Sequence, residues 1–62
     1  MLFDVLEVRL ESMLKEVNED LAYAKKDPQY YDKETSQKVC RLRDSLSIAH
    51  DTAAELNVLA GQ

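Results

Sequence analysis

Leu10, Met13, Val17, Leu21 and Ala24 recur at steps of 3 or 4, and Val39, Leu42, Leu46, Ala49, Ala53, Leu56 and Ala60 repeat that rhythm further on. Such spacing puts apolar side chains on one face of a helix. Two stripes of similar length lie on either side of one short break, which holds the chain's single proline. A connection that short makes the two helices antiparallel neighbours. The expected fold class is all-α, an antiparallel two-helix hairpin in one domain spanning 1–62.

The first helix is expected over about 2–26, a segment rich in the helix formers Leu, Glu, Lys and Ala. It should stop at Lys25-Lys26-Asp27-Pro28, because the residue before a proline avoids the α region. Two lysines there also suit the negative end of the helix dipole. The turn is expected at about 27–34, with Asp27, Asp32 and Thr35 as rival N-caps and Pro28 as a candidate first helical residue. The second helix should run over about 35–59, with Gly61 as its C-terminal stop. Each helix is then about 40 Å long, with Leu21 level with Val39 and Leu6 level with Ala53.

Sixty-two residues is a small number for a self-sufficient core. A chain of this size buries only about 60% of its unfolded surface, and ordering costs about 1.5 kcal/mol per residue. Cys40 is the only cysteine, so no internal disulfide can form. No Cys/His cluster suggests a structural zinc, and no metal or cofactor is expected. A second chain is the remaining source of stability. Leu2, Val5, Val8, Ile48, Val58 and Leu59 lie off the two stripes, near the end of the hairpin where the termini meet. They are the candidate self-association residues, and two hairpins joined through them make a four-helix bundle, a homodimer being favoured.

Charge is segregated. Residues 1–20 hold six acids and two bases, net −4; residues 21–43 hold six bases and three acids, net +3; residues 44–62 hold three acids and no base, net −3. The hairpin tip is therefore basic and the open end acidic. Tyr23, Tyr30 and Tyr31 also fall in the basic segment. Tyrosine and arginine are enriched at binding hot spots, and aromatic rings among bases can stack nucleobases. The candidate partner-binding residues are Tyr23, Lys25, Lys26, Tyr30, Tyr31, Lys33, Lys38 and Arg41. The competing structural role is that Tyr30 and Tyr31 plug the end of the core.

The chain declares little chemistry. No apolar run approaches the roughly 20 residues needed to span a bilayer. Met1-Leu2-Phe3-Asp4 lacks the basic and apolar regions of a signal peptide. A soluble, cytoplasmic protein is expected. The net charge of −4 argues against general nucleic-acid binding. Glu16-Val17-Asn18-Glu19 resembles one half of the metal motif of all-α nucleotide pyrophosphatases, but the partner ExxD motif is absent. His50 has Asp51 and Glu55 nearby, yet Ser47 stands where a di-iron bundle needs a glutamate. Cys40 adjoins Arg41, a setting found around reactive thiols. A catalytic cysteine also wants a histidine base, and His50 is about 15 Å along the same helix. One glycine near the terminus rules out a glycine-rich phosphate loop.

Ser36-Gln37 in the stretch from Thr35 to Leu42 resembles the Ser-Gln-x-Leu-Asp motif of the helical-hairpin phosphatases of sporulation signalling. Val39 replaces the motif's leucine and Cys40 its aspartate. The signature aspartate is missing, so the activity does not carry over.

The expected function is a small non-catalytic protein–protein interaction module, an adaptor, regulator or inhibitor acting as a self-associating helical hairpin. Three alternatives remain open at this level. They are a nucleic-acid or nucleotide binder using the basic tip, an acidic phage- or plasmid-type antagonist of a basic groove, and a structural subunit of a larger assembly.

Overall fold

The computed structural model describes residues 2–61, of which Leu2 contributes backbone only. The assignment of Leu2 to self-association therefore rests on a side chain outside the described residues. Two helices are present, α1 over Leu2–Lys26 and α2 over Lys33–Ala60. They pack side by side along their length into a rod with extents of 48 × 15 × 12 Å. The radius of gyration is 14.3 Å, against about 11 Å for a compact domain of this length.

The connection is built by two aspartates. Asp27 accepts the Gln29 N–H on its side chain at 3.1 Å and the Tyr30 N–H on its carbonyl at 3.0 Å, closing a turn around Pro28. The rival cap is thus a turn residue. Asp32 is the N-cap of α2: its backbone is extended and its carboxylate accepts the Thr35 N–H at 2.7 Å. Thr35 is a donor to the cap and not a cap itself, and α2 starts two residues before the expected boundary. At the other end Gly61 has φ −79° and ψ −9°, so it continues right-handed geometry and donates to the Asn57 carbonyl at 3.0 Å. The helix ends on an ordinary helical bond, and glycine's access to positive φ is not used.

The Asp32 cap gives a direct test. The Thr35 hydroxyl, and then the Thr35 N–H, hold the Asp32 carboxyl below the ordinary aspartate value. A depressed folded-state pKa contributes stability above the unfolded value, and that contribution is lost as pH falls through the folded value. Asp32→Ala should lower the thermal midpoint by about 5 °C at neutral pH. The difference between the two proteins should shrink in acid; circular dichroism melts at neutral and acidic pH read both effects.

The two helices meet through a seven-residue repeat. On α1 the half-buried positions are Phe3, Glu7, Leu10, Leu14, Val17, Leu21 and Ala24; on α2 they centre on Ser36, Val39, Arg43, Leu46, His50, Ala53 and Asn57. A strict heptad repeat is the signature of a left-handed coiled coil. This seam differs from the expected stripes. Leu14 enters it while Met13 stays exposed, and on α2 Leu42 and Ala60 are exposed. The physical reason is rotation of α2 about its own axis. Its apolar stripe and its contact seam share Val39, Leu46 and Ala53, and the rest of the stripe, Leu42, Ala49, Leu56 and Ala60, borders the seam on its outer edge. Ser36, Arg43, His50 and Asn57 fall seven apart on the contact row instead.

Register is set by Asn57, whose Nδ2 donates to Glu7 Oε1 at 3.2 Å. Stepping by heptads puts Leu14 level with His50 and Leu21 level with Arg43. That is about one turn from the expected pairing of Leu21 with Val39. The connection climbs past the end of α1 before α2 begins, so the first turn of α2 overhangs it. Ala53, at 2% exposure, is the one buried residue among those described. A single layer of two helices cannot enclose larger side chains.

Candidate functional site

In an antiparallel helix pair the residues flanking the seam fall on two sides. One side carries Leu6, Met13 and, toward the tip, Asp20 from α1 with Leu42, Ala49 and Leu56 from α2. Leu6, Met13 and Leu42 are 42%, 49% and 50% exposed. The opposite side carries Glu11, Asn18 and Lys25 with Cys40, Ser47 and Ala54. The hairpin thus has an apolar side and a polar side, besides the outward surface of each helix.

Val5, Val8, Ile48, Val58 and Leu59 are all exposed. The heptad phase puts Val5 and Val8 on the outward surface of α1, and Ile48, Val58 and Leu59 on the outward surface of α2. These two groups point away from each other, so no single flat contact covers both. Val5 and Val8 share a shallow patch with Asp4 and Arg9.

At the tip the three tyrosines are brought together. Tyr23 and Tyr30 meet edge to face with centroids 4.8 Å apart, and Tyr30 and Tyr31 meet at 4.6 Å. Contacts of this kind favour a fixed ring cluster. Tyr31 is half-buried, and its phenol is shifted upward by partial burial first, then by the Asp20 charge and by Tyr30. Lys25, Lys26, Lys33 and Arg41 are exposed. Lys38 pairs with Glu34 at 3.3 Å in an exposed i,i+4 bridge, a contact worth little in water. The bases encircle the tip, with Lys25 on the polar side, Lys38 at the edge of the apolar side, and Lys26 and Arg41 facing outward.

The side chains with chemical potential do not converge on one site. His50 lies half-buried in the seam with Nδ1 3.7 Å from Asp51 Oδ1. Among the described residues no His, Cys, Asp and Glu side chains cluster as a metal site. Glu16 and Glu19 are exposed, and Cys40 is a half-buried free thiol. A cavity of about 280 Å³ on the polar side is lined by Asn18, Lys25, Ser36, Cys40 and Arg43 among others. The Arg43 guanidinium is turned onto Asp44, with Nε at 3.2 Å and Nη2 at 3.0 Å from Oδ1.

Sequence reasoning missed the Glu7–Asn57 pair. Glu7 reads as one more acid of an acidic segment. The available signal was the unbroken 3, 7, 10, 14, 17, 21, 24 series, in which Glu7 holds a contact position.

No family model, curated protein or solved structure matches the chain. The fold itself defines a class: an all-helical hairpin of two helices packed against each other. Among the described residues no helix is long and apolar enough to cross a membrane.

Proposed function

We propose that this chain is a small, non-catalytic protein–protein interaction module that works as a self-associating helical hairpin. The observation that carries the reading is the mismatch between apolar content and burial. Among the described residues ten large hydrophobic side chains are exposed, from Val5 to Leu59, while one alanine is buried. Apolar surface left in water on that scale marks an interaction surface. The weak intrachain seam points the same way, since a single hairpin this small gains little from it. The tyrosine cluster at the tip offers a second, preorganised surface on which a protein partner can anchor, with the surrounding lysines setting orientation and on-rate. Mutual ring packing occupies Tyr30 on both neighbours, which favours this protein-docking role over base stacking.

Sedimentation equilibrium combined with far-UV circular dichroism over a concentration series tests the reading. A helical species whose mass rises to a dimer or tetramer with concentration is expected. A fully helical monomer at every concentration would overturn self-association.

A further inference from the structure

The apolar side of the hairpin is not covered by this chain, and two observations identify what fits it. The first is area. The accessible surface is 5000 Å², whereas a folded monomer of 7.1 kDa exposes about 4,100 Å². The excess is about 900 Å², close to the roughly 800 Å² that one partner contributes to a standard interface. A long rod exposes more than a globule, and side-by-side pairing of two rods is the arrangement that removes this excess.

The second is charge. The tip segment is net +3 and the two open-end segments are −4 and −3. Two copies laid with tips together would set like charge over like charge at both ends. Two copies laid head to tail would set each basic tip over an acidic open end. Between exposed charges this matters within about 10 Å, the distance across such a contact.

We propose that a second copy of this chain covers the apolar side, laid antiparallel about a two-fold axis near Met13 and Ala49. This rests on the self-association reading and adds its face and its direction. At the axis Ala49 meets Ala49 of the second copy, and small residues allow the backbones to approach. Away from it Leu42 falls level with Leu56 of the second copy, each filling the outer edge of the other's α2 stripe. The outward residues Val5, Val8, Ile48, Val58 and Leu59 stay outside this contact.

Two measurements test it, and they fail separately. In sedimentation, Met13→Glu and Leu42→Glu should weaken dimerisation at least tenfold, while Val8→Glu and Ile48→Glu should leave it unchanged. The reverse pattern would assign the contact to the outward surfaces, overturning the face while self-association stood. A monomeric parent chain would overturn the underlying reading itself. Direction is read from single-cysteine variants in a Cys40→Ser background. A cysteine at Ala49 lies on the axis and should oxidise to a linked dimer. A cysteine at Leu42 lies about 10 Å from the axis at 1.5 Å per residue. It is then about 20 Å from its own copy, beyond the 4.4–6.8 Å between Cα atoms that a disulfide spans. It should not self-link, but it should link to a Leu56→Cys chain when the two are mixed. Rapid self-linking at position 42 would overturn the antiparallel arrangement.

Discussion

Ala53→Asp should abolish the helical fold at micromolar concentration. A domain of this size has total stability of only about 3–9 kcal/mol. Ala53 is the one buried residue among those described, and its neighbours across the contact are the α1 seam residues. That seam holds Glu7 and no base, so a new carboxylate there has no counter-charge and adds to an existing one. Burying an uncompensated charge costs several kcal/mol, comparable to the whole. Ala53→Gly provides the scale: it removes one methyl and costs about 1 kcal/mol through helix propensity. The variants are compared by ellipticity at 222 nm during thermal melts. Ala53→Gly should melt cooperatively at a lower midpoint, and Ala53→Asp should show no native baseline. A cooperative melt for Ala53→Asp near the parent midpoint would mean that the seam at this level opens to water.

The helices and the break were legible because local signals agreed there. The Pro28 break, the apolar stripes and the choice of helix formers all mark the same two segments. The rotation of α2 was not legible. Its apolar row 39, 42, 46, 49, 53, 56, 60 and its contact row 36, 43, 50, 57 are neighbours, and hydrophobicity alone selects the first. Arg43 can stand on this row because a half-buried seam lets a long polar side chain keep its head in water, whereas the Asn57 amide is turned onto Glu7. The same rotation explains the surface pattern. Turning α2 toward polar contacts leaves Leu42 and Leu56 at the border, next to Leu6 and Met13. The apolar side is therefore a product of how the hairpin closes. The outward valines and leucines at the open end, conspicuous in sequence, lie on two opposed surfaces. The tip was legible as a basic and aromatic segment, but the packing of Tyr30 edge-on against Tyr23 and tilted against Tyr31 required the turn that Asp27 closes.

Glu7→Leu combined with Asn57→Leu should stabilise the hairpin while loosening its register. Asn57 donates one hydrogen bond to Glu7, and its own Oδ1 is buried without a partner. An amide oxygen left that way costs about 1–3 kcal/mol, which the single bond does not recover. Replacing a polar pair by packed leucines is favourable by about 1–4 kcal/mol in buried sites. The low end applies here because Glu7 keeps part of its carboxylate in water. A gain of about 2 kcal/mol should raise the thermal midpoint by about 10 °C. The single variant Asn57→Leu should move the other way, since it leaves the Glu7 carboxylate against an apolar neighbour. What the pair supplies is alignment. On α2 the flanking layers present only Ala53 and Ala60, small residues that let one helix slide along the other, and a polar contact in one layer penalises the slide. Amide spectra of the double variant should therefore show more than one set of resonances for α2, where the parent shows one. A lower midpoint for the double variant would mean that the Glu7–Asn57 bond outweighs the cost of burying it. A single sharp set of resonances would mean that register is held by the apolar layers alone.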